Sequence, residues 1–372
     1  MPTLYLIDGN SYIYRAFYAI KGLTNSKGFP TNAIYGFTNM LLKIQREKQP
    51  DFIAVAFDSP VPTKRHIVYE AYKAQRPKMP DELRQQIPCI KEIITALKIP
   101  TIELEGLEAD DILGSIAKKA ESEDIETYIV TSDKDTYQLL SPMVKVYDSM
   151  RDKVIGEKEI IERFGIEPER IPEIMALMGD AIDNIPGVPG IGEKTAVTLL
   201  KEFGSLDKII KDHLKITQPK LRASVSENIE NIKLSLALAT LDTNVPVEKS
   251  IRELTSKEPD WTELLRLFRE FEFGSLLKLI PEQQTTEKYR TILDKRHLRD
   301  VINNIKAEIV INTETTGKDP MRASLVGISL STDGSECYIP VGHSYSGAPE
   351  QLQKGDVLEE LKAILENPEI KK

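Results

Sequence analysis

Short unbroken apolar runs alternate with amphipathic stretches over the first 150 residues. Leu4-Tyr5-Leu6-Ile7, Phe52 to Phe57 and Tyr128-Ile129-Val130 are apolar at every position, the pattern of strands buried on both faces of a parallel sheet. Between them, residues 31–48, 83–98 and 109–121 place apolar residues at helical spacing, and this alternation predicts βαβ units and an α/β domain. From about 155 to 280 the strand pattern fades. Ile171 to Met178, Lys194 to Glu202 and Trp261 to Phe271 read as amphipathic helices, so the second region is expected to be helical. The polar segment Pro281-Glu282-Gln283-Gln284-Thr285-Thr286-Glu287 suits a linker. Beyond it, Glu308 to Asn312, Leu325 to Leu330 and Cys337 to Val341 read as strands and Val357 to Glu366 as a helix.

The apolar runs lead into acids. Asp8 closes the first and Asp58 the second, while Asp133 and Asp135 follow the third. Carboxyl ends of parallel strands share one edge, and doubly wound folds bind ligands there. Carboxylates gathered at that edge repel one another unless cations lie between them. Glu108, Asp110 and Asp111 open the helix at 109–121, with Glu108 and Asp111 on one face at i and i+3; Asp180 and Asp183 repeat that spacing. Acids in a first helical turn are also stabilised by the helix dipole alone, so the spacing leaves a purely structural role open.

Two more segments carry chemistry. Ile185-Pro186-Gly187-Val188-Pro189-Gly190-Ile191-Gly192, followed by Glu193-Lys194-Thr195-Ala196, reads as a helix-hairpin-helix. Its glycines permit a tight turn with exposed backbone N–H groups, and the next helix start adds positive potential, which together hold a phosphate without reading base sequence. The DNA-binding candidates are Gly187, Gly190, Gly192, Lys194 and Thr195. Tyr72-Lys73-Ala74-Gln75-Arg76-Pro77 places a ring and two cations within about one helical turn; the ring can stack on a base while the cations hold phosphates. A solvated basic helix face is the alternative, and the acid cluster favours the phosphate role.

Composition narrows the classes. A chain of 372 residues with 41% hydrophobic content has room for two or three domains. Its formal charge of −9 counts against a nucleic-acid partner, but the nine acids equal it in number, and Lys64-Arg65, Lys73, Arg76 and Lys78 are grouped locally. His66, His213, His297 and His343 form no zinc spacing, Cys89 and Cys337 lie in no Cys-x-x-Cys pattern, and no nucleophilic triad stands out. No apolar run approaches the roughly 18 residues of a bilayer span, and no basic-then-apolar leader precedes Asp8. A cytoplasmic protein without membrane contact is expected.

Residues 1 to about 280 resemble the 5′-nuclease domains of bacterial DNA polymerases I, in the flap endonuclease superfamily. The resemblance rests on Leu6-Ile7-Asp8-Gly9-Asn10, Ala56-Phe57-Asp58, Tyr72-Lys73, Arg76-Pro77, Glu108-Ala109-Asp110-Asp111 and Thr131-Ser132-Asp133-Lys134-Asp135. It continues through Gly179-Asp180, Asp183 to Gly187, Gly190 to Ala196 and Glu272 to Leu277. It implies a PIN-like or resolvase-like, mainly parallel sheet flanked by helices, then a helical subdomain with the helix-hairpin-helix. It also implies a site for two Mg²⁺ or Mn²⁺ ions on Asp8, Asp58, Glu108, Asp110, Asp111, Asp133, Asp135, Asp180 and Asp183, the first five nearest the more catalytic ion. Lys73 and Arg76 are then expected at the scissile phosphate and Tyr72 against DNA, with K⁺ on the backbone carbonyls of the glycine-rich turn. Ala181 and Ile182 stand where the family frequently has two serines.

Residues 290 to 372 resemble the opening of a 3′-5′ exonuclease domain, an α+β fragment of an RNase H-like fold. Asn312 stands where the family's first metal motif usually has aspartate, with Glu314 two residues on. An amide offers a neutral oxygen where a hard cation favours charge, and the chain ends before the family's later acidic motifs, so proofreading is not expected. The expected domains are 1–175 catalytic, 176–280 DNA-binding, 281–289 linker and 290–372 partial exonuclease. The expected activity is 5′ cleavage of flaps, nicks or gapped duplex by a monomer that in full length carries a polymerase domain. Three alternatives are weighed. They are a catalytically silent DNA-binding module, a stand-alone 5′-3′ exonuclease with a relic tail, and a haloacid-dehalogenase phosphatase, which needs aspartate where Asn10 stands.

Overall fold

The carboxyl ends of β1 (Thr3–Asp8), β2 (Phe52–Phe57) and β4 (Glu126–Val130) lie at one edge because β1 pairs in parallel with both of the others. With β3 (Thr101–Glu103), β5 (Val144–Asp148) and the antiparallel β6 (Lys153–Ile155), the order is β3-β2-β1-β4-β5-β6. The chain builds outward from β1 first on one side and then, from β4, on the other. The crevice between β1 and β4 is therefore the topological switch point. The fold is described by a computed structural model covering residues 1–281, 289–305, 308–317, 319, 322–332, 335–345 and 348–372. The linker expected at 281–289 falls, apart from its two ends, outside the described residues.

Strand side chains alternate between two apolar layers, which explains the unbroken runs. Leu4, Leu6, Ala54, Ala56 and Ile129 face the layer containing α5 (Ala109–Glu121) through Ile112 and Ile116. Tyr5, Ile7, Ile53, Val55 and Val130 face the layer built by α1 (Gly9–Ala19), α2 (Asn32–Lys43) and α4 (Asp81–Ala96). A one-residue slip in register would exchange these two sets. The helical run read to residue 48 ends as a short π-helix, Ile44–Lys48, and closes at Gln49 with φ 45. Between α2 and α4, α3 is short (Lys64–Val68), and residues 70–76 form turns rather than the helix expected for Tyr72 to Pro77.

The helical region continues the first layer. After α6 (Glu157–Phe164), Ile174 and Leu177 of α7 (Ile171–Met178), Ala196 and Leu200 of α8 (Glu193–Phe203) and Leu238 of α11 (Ile229–Ala239) join the cluster that holds Leu4 and Ile112. Met1–Pro281 is accordingly one compact unit, and the expected boundary at 175/176 falls inside α7. Glu282–Lys372 is a second unit. Among its described residues a four-stranded sheet holds the strands Val310–Thr315, Leu325–Thr332 and Ser335–Pro340 in antiparallel order, with Tyr289–Thr291 parallel to the last. Two helices, Lys295–Asn303 and Lys354–Leu365, complete a core of Leu298, Ile328, Leu330, Ile339, Val357 and Leu361.

Candidate active site at the carboxyl end of the sheet

Three strand ends and one helix start are tied together by their acids. Asp8 ends β1 and caps α1, accepting from Ser11 N at 3.0 Å through Oδ1 and from Thr131 Oγ1 at 2.9 Å through Oδ2. Asp58, just after β2, accepts from Ala109 N at 2.8 Å, which seats the first turn of α5. Asp133 donates its backbone N–H to Thr131 Oγ1 at 3.1 Å, and its Oδ1 accepts from Asp135 N at 3.0 Å. These contacts bring Asp8, Asp58, Asp110 and Asp133 into mutual repulsion.

The repulsion is expensive because Asp8 is buried and its neighbours are half-buried. Burial first, then Asp58 and Asp133, push Asp8 up to about 7 against the hydrogen bonds from Ser11 and Thr131. Burial, followed by Asp8, Asp133 and Asp58, holds Asp110 well above the ordinary carboxylate range. Asp110 Oδ1 is buried and has no hydrogen-bond partner among the described residues. Such a group is costly unless something positive faces it. A second knot lies beside the first: burial, then Asp133, Asp183 and Asp180, push Asp135 up to about 8. Asp133 belongs to both.

The remaining acids are neutralised by the protein itself, which changes two expectations. Asp111 is not left free for a metal ion. Arg65, buried at α3, grips it through Nη1 and Nη2 at 2.7 and 2.9 Å, and also donates to the carbonyls of Leu238 and Thr240 at 2.8 and 3.0 Å. Asp242 N adds a third bond to Asp111 at 2.9 Å. Glu108 is saturated likewise, by Thr63 Oγ1 at 2.9 Å, Lys73 Nζ at 2.8 Å and Tyr72 Oη at 3.2 Å, with Arg65 Nη1 at 3.4 Å. Burial alone would raise Glu108, but Lys73 and Arg65 outweigh it and hold the carboxyl below its ordinary range. Tyr72 is only 4% exposed and so offers no face to a base; its expected stacking role gives way to a buried hydroxyl on Glu108.

Lys73 and Arg76 do meet the acids, by a backbone route rather than a helix. Lys73 sits at φ 55 and Asn184 at φ 56, left-handed conformations that cost non-glycine residues on the order of 1 kcal/mol or more. Cross-ties hold both: Lys73 N donates to Asp183 O at 2.9 Å and Asn184 Nδ2 to Ala71 O at 2.7 Å. Arg76 Nε then reaches Asp183 Oδ1 at 3.0 Å. Asp180 Oδ1 accepts from Ile182 N and Asp183 N at 2.6 and 3.2 Å, so the acidic loop is set by its own carboxylate.

The glycine-rich turn begins where this loop ends. Gly187 at φ 60 lies so close to Gly179 that an added Cβ would come within 2.3 Å of Gly179 N, so only glycine fits. Ser235 Oγ takes the Gly187 N–H at 3.0 Å. Gly190, at φ 85, and Gly192 are exposed, with nothing within 4 Å of an added Cβ. Gly192 caps α8, with Lys194 exposed and Thr195 half-buried beside it, and Glu193 is drawn aside to Arg163 at 2.9 Å. Open backbone at a helix start is what an anion needs.

Among the described residues, no group of three or more His, Cys, Asp or Glu side chains stands arranged as a ligand set for an ion. The donor chemistry nonetheless fits hard divalent cations: all-oxygen carboxylates, raised in affinity for protons by burial, with one orphaned oxygen at Asp110. In the second unit, Asn312 and Glu314 share one face of their strand and both are exposed. Sequence reasoning missed Arg65, Thr63 and Thr131. Arg65 was visible only as half of a basic pair, because its partners lie 46 to 175 residues away.

Buried, mutually repelling acids at the end of a parallel sheet, next to basic side chains and an open glycine-rich turn, are the site of a nuclease. Residues 3–165 match the family "5′-3′ exonuclease, N-terminal resolvase-like domain", residues 166–262 "5′-3′ exonuclease, C-terminal SAM fold", and residues 289–372 a 3′-5′ exonuclease family. A 5′-3′ exonuclease of Aquifex aeolicus is 44% identical over 278 residues, covering 75% of this chain and 95% of that protein. DNA polymerase I of Pseudomonas aeruginosa is 39% identical over 391 residues, covering 98% of this chain but 43% of the polymerase. The chain thus spans less than half the length of that relative. The fold is that of the zinc-bound T5 5′-exonuclease (TM-score 0.55, 21% identity, 75% of this chain and 100% of that one). It is shared with the catalytic core of Rad2 in complex with DNA substrate (TM-score 0.54, 16% identity, 75% and 92%). The chain belongs to the 5′-3′ exonuclease family.

Proposed function

We propose that the chain is a structure-specific 5′ nuclease that hydrolyses DNA at flaps, nicks or gaps with two Mg²⁺ ions, for which Mn²⁺ can substitute. The observation that carries this reading is Asp110, set among Asp8, Asp58 and Asp133 with a buried oxygen that nothing among the described residues satisfies. Asp8, Asp58, Asp110 and Asp133 would hold one ion, and Asp133, Asp135, Asp180 and Asp183 the other. When bound, the ions supply an activated water and positive charge opposite the phosphoryl group and the leaving 3′ oxygen. Glu108 and Asp111 act from behind this set, as counter-ions to Lys73 and Arg65.

The chain's own residues place the substrate. Lys73 and Arg76, held beside Glu108 and Asp183, are within side-chain reach of any phosphate drawn to the acids, and a guanidinium and an ammonium both stabilise its added charge. A water oxygen bonds to phosphorus, the P–O3′ bond breaks, and the 3′ oxygen leaves as a hydroxyl. Residues 1–175 carry this chemistry. Residues 176–280 grip duplex DNA through the phosphate backbone at Gly190, Gly192, Lys194 and Thr195, with K⁺ as a further ligand of the turn's carbonyls; Gly187, expected to join them, is buried with its N–H on Ser235 and shapes the turn instead. The similarity to polymerases over most of the chain supports a longer protein in which a polymerase domain follows. No helix among the described residues is long and apolar enough to cross a membrane, and on this reading the protein works in the cytoplasm as a monomer. Incubation of 5′-labelled flap and nicked duplexes with and without Mg²⁺ tests the reading. Short labelled products that require the ion are expected; binding without cleavage would leave a silent DNA-binding module.

A further inference from the structure

One helix of the second region, α11, is fastened to the glycine-rich turn and to the acids at once. It packs along α7, whose end leads into the acidic loop at Asp180. Ser235, fully buried in α11, takes the Gly187 N–H at 3.0 Å and so holds the turn from behind. One turn further on, about 6 Å along the axis, the helix ends among the acid-bearing elements. The last carbonyls of a helix have no partner within it. Here Arg65 donates to those of Leu238 and Thr240 at 2.8 and 3.0 Å, and Gln138 Nε2 to that of Ala239 at 2.9 Å. Gln138 lies in the short 3-10 helix Asp135–Leu139; the same nitrogen donates to Asp135 O at 2.9 Å, and Oε1 accepts from Leu241 N at 2.9 Å. The chain then runs along α5, with Asp242 N on Asp111 at 2.9 Å and Val245 N on Ser115 Oγ at 3.0 Å. The side chains at these joints, Ser235, Arg65, Gln138 and Ser115, are buried or half-buried. Satisfied hydrogen bonds there fix one geometry, which apolar contacts alone would leave free to slide.

We propose that α11 sets which phosphodiester bond is cut, with Ser235 and Gln138 as positioning residues. The inference rests on the cleavage reading above, in which the glycine-rich turn holds phosphates of the duplex and the acids hold the ions. A duplex held at one place and cut at another is cut at the nucleotide that their separation dictates. Successive phosphates of one strand advance by about 3.4 Å along the duplex axis. Play of that size between the turn and the acids would therefore admit a cut one nucleotide to either side. Both residues act through the backbone they hold. Without Ser235 Oγ the buried Gly187 N–H loses its partner, and without the Gln138 amide the end of α11 loses its tie to the Asp135 turn.

Mapping of the cut at single-nucleotide resolution on a 5′-labelled flap, in single turnover at saturating Mg²⁺, tests it. Wild-type protein is expected to give one dominant product. Ser235→Ala and Gln138→Ala should each raise the products one nucleotide longer and shorter about fivefold relative to the dominant one, the scale of one lost hydrogen bond. Gln138 is only half-buried, so its variant carries the test even where loss of Ser235 Oγ unfolds the protein. Ile232→Ala is the control for plain destabilisation, since it removes a buried apolar side chain from the same helix and keeps every hydrogen bond named above. It should lower the melting temperature and leave the product pattern of the wild type. A single product from both Ser235→Ala and Gln138→Ala, or equal broadening by Ile232→Ala, would overturn the proposal. Absence of any Mg²⁺-dependent cleavage by wild-type protein would instead overturn the nuclease reading itself.

Discussion

Two sets of carboxylates share one end of the sheet and differ in what faces them. Glu108 and Asp111 are met by Lys73 and Arg65. Asp8, Asp110 and Asp135 are met chiefly by other acids, and burial together with that repulsion pushes their carboxyls up. The first set has the chemistry of structural ion pairs, in which removing one partner strands the other. The second has the chemistry of a cation site, in which removing a charge relieves the empty protein and disables the loaded one. Nearness to the edge does not distinguish them; the company each acid keeps does.

The sharpest way to break this contrast is Asp110→Asn. It should lower Mg²⁺-dependent cleavage by about a thousandfold or more, since the buried oxygen that faces the ion becomes neutral. Without metal it should not lower the melting temperature, because a repelled charge has gone. Lys73→Ala comes next, with a single-turnover rate at saturating Mg²⁺ reduced by roughly a hundredfold, the scale of losing one charged donor at a developing anion. An unchanged rate would remove Lys73 from the phosphate. Asp111→Asn should act on the fold instead. It strands the buried Arg65 and should cost about 3 kcal/mol in denaturant unfolding, while the Mg²⁺ concentration for half-maximal cleavage stays within a few fold of wild type. A large rise in that concentration with normal stability would return Asp111 to the metal set.

The smallest effect is a pH dependence. Asp8 at about 7 and Asp135 at about 8 lie above their ordinary values, so the folded protein holds protons that the unfolded chain releases. Their contribution to stability is fully present below their ordinary value of 3.8 and is lost progressively as pH rises from there to about 8. Without divalent ions the melting temperature should fall across that interval, and added Mg²⁺ should raise it more at the upper end than the lower. A Mg²⁺ effect independent of pH would argue that the ion binds elsewhere.

Local sequence carried the outline of this site. Apolar runs ending at Asp8 and Asp58 were legible because strands buried on both faces leave no polar position until the sheet edge. Gly187 and Gly190 were legible because only glycine tolerates the turn they make. Asp111, Tyr72 and Arg65 were not, since their roles depend on partners outside the local segment. Arg65 needs the Leu238 and Thr240 carbonyls, and Tyr72 needs a loop at φ 55 that turns its ring inward instead of extending a helix. α1 was overlooked because its start is hidden in Gly9-Asn10-Ser11, which reads as a turn until Asp8 is seen to cap it.

The central claim is that Asp8, Asp58, Asp110, Asp133 and their neighbours form a divalent-cation site. Titration of the protein with Mn²⁺, with free ion followed by its aqueous paramagnetic resonance signal, measures this without DNA or turnover. The account predicts saturable binding that Mg²⁺ displaces, that Asp110→Asn weakens strongly, and that Asp111→Asn leaves nearly intact. Binding lost equally in both variants, or unaffected by Asp110→Asn, would contradict it.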